Sequence, residues 1–266
     1  MCMLCLVPPN VIPSREKLEN SALNNPHGFG FAIVIPSENR IHAERTMNPD
    51  TSINRFIEMR TKYLEGYAMW HARLATHGSM TVDNCHPFKV GGDERTYLAH
   101  NGILPIVEPT GDTRSDTRIF AEDLLPAIGG VSALDNPQVM NLIEDFTSGS
   151  KVAILTVDTR AEYQAYLIHE SKGTKDNSGV WWSNDSCYLP SSRNWYSVKP
   201  LDYGIEEGAY CYVCETPIQP QQLNTDYCPT CASCYMCNMH KGDCMCYHKK
   251  EKSKPTTYHE DGGWGW

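Results

Sequence analysis

Cysteine dominates the side chains of this sequence that could do chemistry, and it does so in two places. Cys2 follows Met1, so loss of a single residue would leave its thiol beside its own α-amine. Such an amine titrates at about 7.7–8.0 and can act as a general base for an adjacent nucleophile. Toward the other end, eight of the twelve cysteines fall between Cys211 and Cys246. Cys211-x2-Cys214 and Cys228-x2-Cys231 have the spacing of two tight turns that each present two thiolates. Four thiolates close a tetrahedral Zn²⁺ shell with no open position, so the expected role is structural. In a segment with almost no apolar core, metal binding would supply folding free energy.

The spacing of those first four cysteines is that of a zinc ribbon. Cys234, Cys237, His240, Cys244, Cys246 and His248 follow and compete for a second site. Cys234-x2-Cys237 is its expected first half, completed by Cys244 and Cys246 or by a histidine. The run from Cys228 to Cys237 also resembles ferredoxin cysteines, but no Pro follows Cys237 and the last gap is two residues, which favours zinc over iron–sulfur. One or two structural Zn ions are the expected cofactors. The opening MCMLCLVPPNV has no basic n-region or long apolar stretch, so it does not read as a secretory signal, and disulfides are the weaker explanation of the cluster.

These groups need elements to hold them. Met3–Val7 reads as a buried strand, Ser14 as the cap of a helix to about Leu23, and Phe29–Ile35 as a second strand. Asp50 is expected to cap a helix carrying Ile53, Phe56, Ile57 and Leu64. Strands follow at Tyr67–Arg73 and Tyr97–His100, the latter running into the Asn101-Gly102 turn. Helices are expected at Thr117–Leu125 and Gln138–Phe146, and a hairpin joins Val152–Val157 to Tyr163–Ile168 around Asp158-Thr159-Arg160. Val180–Ser183 is a late strand. Strands meeting across hairpins with helices inserted predict antiparallel sheets covered by helices. Composition turns to Cys, Pro, Gln and Asn near Tyr203, which divides the chain into 1–203, a metal-dependent module at 204–250 and a polar tail at 251–266.

Five pieces of the first region stand in order: Met1-Cys2; Asn25-Pro26-His27-Gly28-Phe29-Gly30; His71-Ala72-Arg73-Leu74-Ala75-Thr76-His77-Gly78 through Asn84-Cys85-His86-Pro87-Phe88; His100-Asn101-Gly102; and Ser115-Asp116-Thr117. Together they resemble the glutaminase domain of class II glutamine amidotransferases, which are N-terminal-nucleophile hydrolases. The resemblance implies an α+β fold, a four-layer αββα sandwich of two antiparallel sheets between helices. It makes Cys2 the nucleophile, passing through a γ-glutamyl thioester, and Asn101 with Gly102 the oxyanion hole. Arg73 offers a planar fork for the α-carboxylate of glutamine, and Asp116 matches the residue that accepts from its α-ammonium. Thr76 and Gly78 shape the loop round the carboxylate, Gly28 permits close backbone approach, and His71 and His86 support the pocket. No cofactor is implied for this chemistry.

The sequence also departs from the family. Met3-Leu4-Cys5 stands where Gly-Ile commonly follows the nucleophile, and Arg118 replaces the acidic residue of S-D-T-E. Cys5, three residues from Cys2, is expected in the core on the opposite side of the strand. Two other functions stay open: an amidase for a different γ-glutamyl compound, and a non-catalytic adaptor acting through the zinc ribbon.

Composition bounds the partners. A net charge of −9 disfavours a phosphate-backbone binder, and the basic cluster Lys249, Lys250, Lys252 and Lys254 reads as a solvated tail. No apolar run approaches the roughly 20 residues of a membrane span, so the expected location is cytoplasmic. Because the region after the glutaminase-like part reads as a zinc module, the ammonia is expected to go to a separate synthase or ATP-dependent ligase.

Overall fold

The computed structural model describes residues 2–75, 80–107, 109–188, 227–232 and 241, with the backbone of 209–210 and 217–218. The chain divides into two compact units, 1–197 and 198–266. The domain boundary expected at 203 lies outside the described residues.

The first half of unit one runs β1 (Met3–Val7), α1 (Arg15–Asn24), β2 (Phe29–Ile35), β3 (Arg40–Thr46), α2 (Pro49–Lys62) and β4 (Ala68–Ala72). The second runs β5 (Phe88–Val90), β6 (Asp93–Asn101), α3 (Asp116–Ile119), α4 (Leu125–Ala127), α5 (Pro137–Phe146), β7 (Lys151–Thr156) and β8 (Ala165–Ile168). It closes with β9 (Thr174–Lys175) and β10 (Trp181–Trp182). A six-stranded sheet has the order β3-β2-β4-β1-β10-β9, and a four-stranded sheet the order β5-β6-β7-β8. Every paired strand in both sheets is antiparallel.

Strand alternation explains how the layers stack, since successive side chains point to opposite faces. Met3, Cys5, Val7, Phe29, Phe31, Ile33 and Trp70 form one buried cluster with Leu18 of α1 and Phe56 of α2. Their neighbours Leu4, Leu6, Ala32, Val34 and Met69 meet Tyr97, Ala99, Ala153 and Leu155 of the other sheet. The far face of that sheet, with Leu98, Val152 and Ile154, packs on Phe120, Leu125 and Ile143. Three apolar seams therefore separate helix, sheet, sheet and helix. Cys5 lies in the first seam, fully buried.

Two local expectations shift. The cap of α2 is Asn48, whose Oδ1 accepts from the Thr51 N–H at 2.8 Å. Pro49 opens the helix because it has no N–H to satisfy there, which leaves Asp50 inside the first turn. The strand expected at Tyr97–His100 begins earlier, at Asp93, because its exposed half pairs with β5. Ser14 caps α1 as expected, accepting from Lys17 N–H at 3.5 Å.

In unit two, β11 (Ala209–Tyr210) pairs antiparallel with β12 (Pro217–Ile218). Ala232, at φ +55°, donates its N–H to Cys228 O at 2.9 Å and accepts from Lys241 N–H at 2.8 Å. The first of these bonds closes the Cys228–Ala232 turn.

Candidate active site

The start of β1 and the end of β6 meet on the faces the two sheets turn toward each other. Cys2 continues the alternation of Leu4 and Leu6, and Asn101 that of Tyr97 and Ala99. The Cys2 Sγ accepts from the Leu74 N–H at 3.3 Å, just past β4, and lies 3.5 Å from Leu74 O. Asn184 Nδ2 donates to Cys2 O at 2.7 Å. Asn101 Nδ2 donates to Ser183 Oγ at 2.7 Å, and that oxygen also accepts from Leu4 N–H at 2.9 Å. Gly102 turns with φ +152°, and a Cβ there would collide with the Ser150 hydroxyl. Only glycine fits that turn.

Three imidazoles stack behind this point. The rings of His71 and His86 lie 4.0 Å apart, and those of His86 and His100 6.5 Å apart. His71 Nε2 donates to His100 O at 3.0 Å, and His86 Nδ1 accepts from His100 N–H at 3.2 Å. His100 Nδ1 donates to Thr117 Oγ1 at 2.8 Å, and that hydroxyl donates to Asp116 Oδ1 at 3.2 Å. Burial lowers all three rings, His71 to about 3, His100 to about 4 and His86 well below its ordinary value. They are neutral at pH 7, and their partners fix the tautomers. His71 Nδ1 and His100 Nε2 then remain buried acceptors without a hydrogen bond, as does Asn101 Oδ1.

Charges of both signs reach the Cys2 thiol. Burial pushes it up, the Leu74 N–H and the Arg73 guanidinium pull it down, and Asp116 adds to the rise. Arg73 is 3% exposed, and burial draws it below its ordinary value. Its backbone is held between Gly28 O, which accepts its N–H at 2.8 Å, and His27 N–H, which donates to its carbonyl at 2.9 Å. Gly28, at φ +126°, allows Cys85 to sit where a Cβ would be. Asp116 opens α3 behind its Ser115 cap. Its Oδ2 accepts from Leu104 N–H at 2.8 Å and its Oδ1 from Thr117 N–H at 2.6 Å.

Of the residues expected at the site, Cys2, Gly28, Arg73, His86, Asn101, Gly102 and Asp116 come together in this way. Thr76 and Gly78 lie outside the described residues. Arg118 turns away, donating to Glu122 Oε1 at 2.8 Å. Ser183, expected only as the end of a late strand, and Asn184 lie over 80 positions from their partners and carry no local signal for the site. Asn84, which stands in a motif without an expected task, ties Thr113 O to Ser115 N–H at 2.8 and 3.0 Å. Its place in the Asn84–Phe88 motif was the available clue.

Of the expected metal ligands, Cys228 and Cys231 are described, and Cys228 is buried. Cys211, Cys214, Cys234, Cys237, Cys244 and Cys246 lie outside the described residues. Among the described residues no three His, Cys, Asp or Glu side chains converge to hold a metal, the histidine stack included. No helix among them is long and apolar enough to cross a membrane.

No family model matches the chain. It is 26% identical over 159 residues to the glutamine–fructose-6-phosphate aminotransferase (isomerizing) of Lactiplantibacillus plantarum, a stretch covering 59% of this chain and 22% of that protein. The chain spans about a fifth of this curated relative's length. Among solved structures, it aligns with the glutamine phosphoribosylpyrophosphate amidotransferase of B. subtilis at a TM-score of 0.46 and 17% identity, covering 71% of this chain and 43% of that one. A glutamine aminotransferase class-II domain protein of Silicibacter pomeroyi aligns at 0.35 and 14%, covering 68% and 87%.

Proposed function

We propose that the first unit is a glutaminase-type amidotransferase in which Cys2, freed by loss of Met1, takes ammonia from the side-chain amide of glutamine. The observation that carries this reading is the position of the Cys2 thiol. It sits on the Leu74 N–H within the electrostatic reach of both Arg73 and Asp116.

A half-buried thiol whose proton is held tightly is a poor nucleophile until a base takes that proton. The freed α-amine of Cys2 fills that role. Thiolate attack on the γ-carbonyl places negative charge on the amide oxygen, which Asn101 Nδ2–H and Gly102 N–H receive. The proton held by the amine passes to the departing nitrogen, the C–N bond breaks, and ammonia leaves a γ-glutamyl thioester. Water then cleaves the thioester to glutamate and restores the thiol. Arg73 and Asp116, of opposite charge, grip the α-carboxylate and α-ammonium and select an amino acid over a plain amide.

Glutamate release from glutamine, with intact mass on the same sample, tests the reading. Wild type lacking Met1 should turn over, and Cys2→Ala should not. Turnover by chains that all retain Met1 would sink the N-terminal nucleophile. A panel of γ-glutamyl compounds separates glutamine from the rival substrates. Addition of a synthase or ATP-dependent ligase that raises turnover would identify the proposed acceptor.

For the second unit we propose structural zinc. The Cys228–Ala232 backbone turn carries Cys228 and Cys231 three positions apart, a spacing that fits half of a four-thiolate shell. Metal analysis of the purified chain should find one or two zinc ions, and Cys228→Ser should lower that content. Zinc-free protein with an unchanged melting curve would refute the assignment.

A further inference from the structure

Ser183 and Asn184 follow β10 and belong to none of the motifs, yet they touch both halves of the proposed machinery. Ser183 is fully buried between the sheets. Its Oγ accepts from Asn101 Nδ2 at 2.7 Å and from Leu4 N–H at 2.9 Å, and its N–H donates to Leu4 O at 2.9 Å. For its own proton the hydroxyl finds Met3 Sδ at 3.7 Å, a weak acceptor. One oxygen thus ties the amide at the end of β6 to the backbone of β1, the strand that carries Cys2. Asn184 adds a second tie through its 2.7 Å bond to Cys2 O.

The Asn101 amide has little else to orient it, because its Oδ1 is buried without a partner. An amide nitrogen has two N–H groups, and the bond to Ser183 uses one. The same bond fixes the plane of the amide and hence the direction of the second. A donor aimed in advance at the developing oxyanion is what makes such a group effective.

We infer that Ser183 is a positioning residue that sets the Asn101 amide against the Cys2 thiol, with Asn184 holding the nucleophile's backbone. This rests on the glutaminase reading above. The residue acts through Asn101, so its removal should lower kcat and leave glutamine binding alone.

The experiment measures glutamate release by the full chain as wild type, Ser183→Ala, Asn101→Ala and the double variant. Ser183→Ala should lower kcat roughly 10- to 100-fold with KM within about twofold, short of the loss when the donor itself is removed. In the Asn101→Ala background, Ser183→Ala should cost less than about twofold more, whereas a structural role would add in full. Ser183→Cys keeps the shape of the side chain, with a somewhat larger atom, and weakens the acceptor. It carries the same expectation and replaces the alanine variant if circular dichroism shows the latter unfolded. An active wild type with undiminished kcat in the folded Ser183 variants, or a fully additive double variant, overturns this inference alone. A wild type that releases no glutamate sinks the glutaminase reading and this inference with it.

Discussion

The middle of the sheet pair and its polar end are built on opposite terms. In the middle, Leu4, Ala32, Met69, Ala99 and Ala153 close an apolar seam, and the largest side chains beside it are satisfied as well. Trp70, fully buried, donates its indole N–H to Ser52 Oγ at 3.0 Å. At the end, Asn101 Oδ1, His71 Nδ1 and His100 Nε2 are buried with no partner. A buried polar atom left unpaired costs roughly 1–3 kcal/mol. The middle contributes stability, and the end spends some of it to hold donors and acceptors ready. The two regions should therefore answer mutation differently.

The largest effect is expected in the apolar layers, beside that seam rather than in it. Trp70→Ala removes a large side chain from the α1–α2 side of the six-stranded sheet and strands Ser52. It should destabilise unit one by about 3–5 kcal/mol in denaturant unfolding. Per folded molecule, glutaminase activity should survive. Asn101→Ala is the converse. Its kcat should fall roughly 100- to 1,000-fold, while the unfolding midpoint moves little because the variant also removes an unpaired carbonyl. A large stability loss in Asn101→Ala, or a dead but folded Trp70→Ala, would erase the distinction between the regions.

The same contrast explains what could be read from the sequence. The strands β1 and β2 are buried on both faces and announce themselves as the apolar runs Met3–Val7 and Phe29–Ile35. The edge strand β3 does not, because Arg40, His42 and Glu44 share it with only two apolar residues, Ile41 and Ala43. At the proposed site, motifs mark Cys2, Arg73, Asn101 and Asp116. The stacking of His71, His86 and His100 was not legible, since 15 and 14 positions separate rings that meet only when β4, the loop before β5 and β6 come together. Ser183 was invisible for the same reason: its chemistry is defined by partners on β1 and β6.

Acidification should strike the polar end first. The rings of His71 and His100 titrate lower in the folded chain, at about 3 and 4, than in the unfolded chain at about 6.5. Between those values the unfolded chain binds more protons, so stability falls as pH drops from about 6.5 toward 4. The loss should be on the order of a few kcal/mol, partly opposed by Asp116 and reinforced by Lys151 beside His100. Carboxylates such as Asp158, lowered to about 2 by Arg160, withdraw their support only below pH 4. Melting temperature measured from pH 7 to 4 separates the two phases. A flat profile above pH 4 would mean that the rings are not buried neutral.

The smallest effect tests whether the apolar body is indifferent to function. Asn48 caps α2 by accepting from Thr51 N–H, while Asp50 stands inside the first turn. Asn48→Ala exposes an unpaired helix donor and should cost about 1 kcal/mol. Asp50→Ala forfeits only a favourable charge near the positive end of the helix dipole, worth roughly 0.3–1 kcal/mol and screened by salt. Raising the ionic strength should therefore narrow the gap between wild type and Asp50→Ala but not that between wild type and Asn48→Ala. Neither substitution should alter kcat or KM for glutamine, because α2 packs on the face of the sheet turned away from Cys2. Reversal of the two stability losses would return the cap to Asp50.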